Sequence, residues 1–114
     1  MFDVRPCADR DEYARAIGAI GQYFNPPPGE ELLARFVRTL PHERMHAAFE
    51  EGAVVGGAGA FPFELSVPGG GSLRCAGVTA VGVQPTHRRR GVLRRMMDEQ
   101  LRDIHERGEP IAAL

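Results

Sequence analysis

At 114 residues, with 43% hydrophobic and 25% charged residues, the chain has the length and composition of one soluble domain with a modest core. A net charge of −1 excludes any general attraction for nucleic acid or for a membrane surface, and the 14 basic residues are all arginine, which coding bias explains as well as function does. The opening MFDVRPCADRDEYARA is charged throughout, no apolar run approaches the roughly 20 residues of a membrane span, and Cys7 and Cys75 lack CxxC spacing. A cytoplasmic protein with free thiols and no metal site is therefore expected.

The first predicted element is a short strand, Phe2 to Pro6. Asp9 then reads as a helix N-cap with Glu12 three residues on, the spacing of a capping box. Tyr13, Ile17 and Ile20 follow at helical intervals. The run NPPPGEE interrupts them, because three consecutive prolines continue neither helix nor sheet ladder. A second helix carries Leu32, Leu33, Phe36, Val37 and Leu40, and Pro41 ends it.

From Met45 the period changes. Two apolar runs separated by EEG predict a hairpin. Gly56, Gly57 and Gly59 in its second strand suggest close approach of another backbone. SVPGGGS reads as the tip of a further hairpin. The strand after it is apolar on both faces from Ala76 to Val83, which suits a central strand covered on both sides. A helix with the apolar stripe Val92, Leu93, Met96, Met97, Leu101 and Ile104 comes next. Arg94 with Asp98, Arg95 with Glu99, and Asp98 with Arg102 are spaced to pair on its surface. Gly108 and Pro110 mark its end, and PIAAL begins a last strand, giving a right-handed strand–helix–strand crossover.

One feature conflicts with helix electrostatics. VQPTHRRRGVLRRMM gathers Arg88, Arg89, Arg90, Arg94 and Arg95 at a helix start, which already carries partial positive charge. A nucleic-acid patch or an ordinary solvated face would account for the run by composition alone. Strand, turn, Gly91 and helix together favour a third reading, an anion held by free N–H groups at the helix N-terminus. Charge-assisted bonds of about 1.5–3 kcal/mol each outweigh a dipole penalty of about 0.3–1 kcal/mol. No Walker A pattern and no GxGxxG follows any predicted strand.

The run VGVQPTHRRRGVLRRMM resembles motif A of the GCN5-related N-acetyltransferases (GNAT), the strand, loop and helix that hold acetyl-CoA. Arg88 and Gly91 match the first two fixed positions of the family loop, while Leu93 departs from its final Gly or Ala. The longer VTAVGVQPTHRRRGVLRRMM, the closing PIAAL and Val67-Pro68-Gly69 are similar to the Eis-like (enhanced intracellular survival) branch. The resemblance implies an α/β fold, a mixed β-sheet flanked by α-helices, with residues 1–114 as a single, N-terminal, CoA-binding portion. It implies a bulged strand whose Val81, Gly82 and Val83 lend backbone groups to the pantetheine arm, although plain core packing also suits the two valines. Arg88, Arg89, Arg90, Gly91, Val92, Leu93 and Arg94 would then meet the pyrophosphate.

The implied reaction is acetyl transfer from acetyl-CoA to an amine, on a small molecule or on a protein or peptide. An alkyl amine must lose a proton before it attacks, so a base or a water relay is needed. Thr79, Ala80 and Val81 stand where many GNAT enzymes carry a glutamate. Glu50, Glu64 and His46 on neighbouring strands are expected to face solvent. The tyrosine that serves the Eis-like branch as general acid would fall beyond Leu114, and neither Tyr13 nor Tyr23 matches it. No catalytic residue is assigned, and the 114 residues alone are expected to turn over poorly. The alternative is an acyl-CoA-binding or regulatory module without chemistry. Tyr23, Phe24 and Phe36 either line an acceptor groove or fill core, and core is the preferred reading. The final strand leaves an open sheet edge, from which a homo-oligomer is expected.

Overall fold

In a computed structural model that describes residues 2–23 and 29–114, the elements follow the predicted order. They are β1 (Asp3–Pro6), α1 (Arg10–Ile20), α2 (Glu30–Thr39), β2 (Met45–Glu50), β3 (Ala53–Val67), β4 (Gly71–Val83), α3 (Val92–Glu106) and β5 (Ile111–Ala113). The strands form one sheet in the order β1-β2-β3-β4-β5. Every neighbouring pair is antiparallel except β4 and β5, which run parallel across α3. This is the mixed α/β sheet that the resemblance implied. The proline run 26–28 and Phe24 lie outside the described residues.

Local chemistry sets the element ends. The Asp9 carboxylate accepts from the Glu12 N–H at 2.9 Å, as a cap should. The return half of the capping box is displaced by one residue, because Glu12 accepts from Ala8 N–H at 2.8 Å. Arg5 explains the displacement, since it donates to both Glu12 oxygens at 2.7 Å and draws the carboxylate toward β1. The β2–β3 hairpin turns on Glu51 and Gly52 with φ of 50° and 82°, the positive angles a two-residue turn needs.

Alternation along β2 feeds a core on each face of the sheet. Met45, Ala47 and Phe49 pack with Tyr13, Ile17, Ile20 and Leu40 on the α1 side. Ala48, Val55 and Ala58 pack with Val4, Val92 and Met96 on the α3 side. The β3 glycines make room mainly for side chains: a Cβ at Gly57 would lie 2.7 Å from Met45 Cε, and one at Gly59 would lie 2.6 Å from Leu40 Cδ1. Of the three, only Gly56 has a backbone atom as its nearest neighbour, the Gly82 carbonyl at 3.0 Å.

Three expectations need correction. The buried stripe of α3 is Val92, Met96, Gln100 and Ile104, at spacing four, while Leu93 and Leu101 are half exposed. The stripe predicted from apolar residues alone missed the glutamine. The surface pairs also differ: Arg102 turns back to Glu99 at 3.1 Å, Arg107 pairs with Asp103 at 2.9 Å, and Arg95 reaches the Phe2 carbonyl at 3.4 Å. His46, expected in solvent, is 2% exposed, and burial lowers its pKa by disfavouring the charged ring.

The Glu12 carboxyl is held down at about 2 by the Arg5 hydrogen bonds first and the Ala8 N–H second. Its folded pKa lies below the ordinary 4.5, so its contribution is present above that value and is lost as pH falls from about 4.5 toward about 2. Glu12→Gln should lower stability at neutral pH by about 1 kcal/mol, a value discounted for the solvent-exposed arginine. Urea titrations at several pH values should find the acid limb flatter in the variant over that window. An unchanged limb would show that Glu12 does not carry it.

Candidate functional site

The site begins with a bulge. Across β3 and β4 the pairs Gly57↔Gly82 and Gly59↔Thr79 leave Ala58 opposite two residues, Ala80 and Val81. Ala80 takes a φ of 52°, a left-handed conformation costing a residue with a side chain about 1–2 kcal/mol. Beyond the bulge, Gln84 N–H donates to Val55 O at 2.8 Å while Val83 stands opposite Gly56. In an antiparallel ladder this makes Val83 a non-bonded position toward β3, so its N–H and C=O point to the other edge. The strand β5 does not reach that far, because it pairs only with Cys75, Ala76 and Gly77. From Val78 to Val83 the outer edge of β4 has no strand partner among the described residues.

This edge forms one wall of a groove of about 370 Å³, lined by Tyr23, Val81, Gly82, Val83, His87, Arg88, Arg89, Val92 and Leu93. Its far end is the start of α3. Gly91 is the N-cap, with φ of 84° and no side chain to offer, and the first helical bond runs from Arg95 N–H to Gly91 O at 3.1 Å. The N–H groups of Val92, Leu93 and Arg94 therefore have no side-chain cap among the described residues. An uncapped helix start with positive side chains beside it attracts an anion.

The arginines divide. Arg88 and Arg89 line the groove. Arg90 turns away, pairing with Glu50 at 2.8 Å and lying over the Phe2 ring at 5.2 Å. Arg94 is exposed outside the groove lining. Tyr23 is 47% exposed and lines the groove, so it does not fill core, whereas Phe36 packs against the α1-side cluster. Spacing along the chain gave no sign of His87 in the lining. Its ring nitrogens are both engaged, Nδ1 with the Thr86 hydroxyl at 2.8 Å and Nε2 with Glu50 at 3.1 Å. Glu50 is therefore half-buried beneath His87 and Arg90, not free in solvent as expected. Partial burial works against charge on Glu50, but the bonds from His87 and Arg90 outweigh it and lower the pKa. Glu64 is exposed and accepts from Ser72, far along the hairpin.

The groove thus joins a strand edge without a strand partner to a helix start without a side-chain cap, among the described residues. Comparison with known proteins gives the family. Residues 3–114 match the model of the acetyltransferase (GNAT) domain, and the chain belongs to that family. It is 43% identical over 112 residues to a Streptomyces coelicolor protein named as an N-acetyltransferase, covering 92% of this chain and 27% of that one. It is 51% identical over 61 residues to the N-acetyltransferase Eis of Mycobacterium tuberculosis, covering 54% of this chain and 15% of Eis. The crystal structure of Eis1 from Mycobacterium abscessus superposes with a TM-score of 0.83 at 36% identity, over 98% of this chain and 27% of that one. The chain thus spans about a quarter of the length of the first of these relatives.

Gly91 separates conformation from space. A Cβ there would meet nothing within 4 Å, so Gly91→Ala adds only the left-handed backbone penalty. We expect a loss of about 1–2 kcal/mol in urea unfolding, with Gly91→Asn losing less because asparagine tolerates this conformation. Equal stability of the alanine variant and the wild type would show that the turn relaxes freely.

Proposed function

We propose that the groove binds acetyl-CoA and that the protein carrying this chain transfers the acetyl group to an amine. The observation that carries the reading is the continuity of the free β4 edge with the α3 N-terminus in one groove. A pantetheine arm is extended and bears amides, and such a chain adds to a strand edge as another strand would. Of Val81, Gly82 and Val83, which line that edge, Val83 would hold it through its outward N–H and C=O, while Gly82, bonded toward β3, would lend room. A pyrophosphate suits the N–H groups from Arg89 through Gly91, Val92 and Leu93 to Arg94, with Arg88 and Arg89 side chains alongside. Arg90 contributes charge near the helix start while remaining paired to Glu50.

Bound acetyl-CoA would supply an activated acyl carbon. The chain's own residues bind and orient: the strand edge fixes the arm, and the helix start fixes the anionic end. The acceptor is an amine of a small molecule, a protein or a peptide. His87 and Tyr23, the titratable groups in the lining besides the arginines, both have their polar atoms engaged by the protein. We therefore expect the 114-residue chain to bind CoA and to release thiol from acetyl-CoA only slowly.

Gly91→Glu adds bulk and negative charge at the helix start. Calorimetry should find CoA affinity reduced at least about tenfold, corresponding to about 1.4 kcal/mol. Wild-type binding should also weaken as salt rises, since exposed charges are screened within about 10 Å at 0.1 M ionic strength. Unchanged affinity in the glutamate variant would remove the site assignment. Fast, amine-dependent thiol release from the 114 residues would locate the proton-transfer groups within them.

A further inference from the structure

Tyr23 makes two bonds inside the groove. It ends the short 3-10 turn that follows α1, and its hydroxyl donates to the Val83 carbonyl at 2.7 Å. The same oxygen accepts from the Arg88 guanidinium at 2.7 Å, and the guanidinium carbon lies 5.7 Å from the ring centroid. Gly82 permits the approach, because a Cβ there would lie 3.2 Å from Tyr23 Cδ2 and 2.8 Å from Ile20 Cγ2. One phenol oxygen thus engages a free-edge acceptor of β4 and a cation of the helix start.

We infer that Tyr23 is a latch on the groove, displaced when ligand binds. Its O–H makes the bond to Val83 that a ligand amide N–H would make, so the two compete for one carbonyl. Displacement also frees Arg88, which can then turn to an anionic ligand group. The latch opens at little cost, since Tyr23 is 47% exposed and water can satisfy its hydroxyl on release. Binding of the arm and release of the cation are therefore coupled through one side chain. This inference rests on the acetyl-CoA reading of the groove.

Tyr23→Phe keeps the ring and removes both bonds. Titrated with CoA and with pantetheine, the variant should bind each about three- to tenfold more tightly than the wild type, the range two modest hydrogen bonds allow. Circular dichroism checks that its fold is retained. The chain has two tyrosines and no tryptophan, and Tyr13 is fully buried, so a ligand entering the groove changes tyrosine emission through Tyr23. Pantetheine should change that emission in the wild type and not in the variant. Equal or weaker binding by the variant, with CoA bound by the wild type, would overturn the latch and leave the cofactor reading standing. Absence of CoA binding by the wild type would overturn both.

Discussion

The bulge at Ala80 and Val81 is the constraint on which the groove depends. One extra residue exchanges the roles of all positions beyond it, because the ladder alternates with period two. With it, the amide groups of Gly82 face β3 and those of Val83 point outward. The side chains exchange faces as well: Ala80 packs on the α1 side, and Val81 and Val83 pack on the α3 side. An unbroken ladder would turn the Val83 carbonyl into the sheet. The left-handed Ala80 is the local cost of that outward edge.

Helix length then decides how much of the edge stays open. The 15 residues of α3 span about 22 Å, the rise of about seven strand residues. A chain leaving near Val83 and returning along α3 rejoins β4 near Ala76, where β5 pairs. The return point is fastened by Arg44 and Glu109, joined at 2.6 and 3.2 Å and 4% and 1% exposed. Removing either partner would leave the other charge buried and unpaired, the costly way to break such a pair. The pair ties the turn after α3 to the start of β2, and so orients the helix whose other end closes the groove.

The strands and helices were legible because each carries its own period and its own stop signals. The helix start was legible from Arg88 to Gly91, where charge and dipole conflict. The side-chain contacts were not. Arg90 finds Glu50 forty residues away, and Arg88 finds Tyr23 sixty-five residues away. No local spacing encodes such pairs. Gln100 escaped a stripe drawn from apolar residues, and His46 escaped because a polar residue on a strand ordinarily faces water. The resemblance supplied the bulged strand, which composition alone would not have disclosed.

The crowding of arginines is resolved by dividing their roles. Arg88 is held by Tyr23, Arg90 by Glu50, and Arg95 reaches the Phe2 carbonyl. Only the Glu50 carboxylate offsets charge, against a dipole penalty of about 0.3–1 kcal/mol per cation; the Tyr23 hydroxyl and the Phe2 carbonyl are neutral acceptors. Among the described residues Arg89 and Arg94 have no such partner, and Arg89 lines the groove with a φ of 64°. An anion at this point would meet one unengaged guanidinium together with a row of main-chain N–H groups. In the proposed anion site the main chain would thus be the larger part, and the neighbouring arginines serve the fold around it.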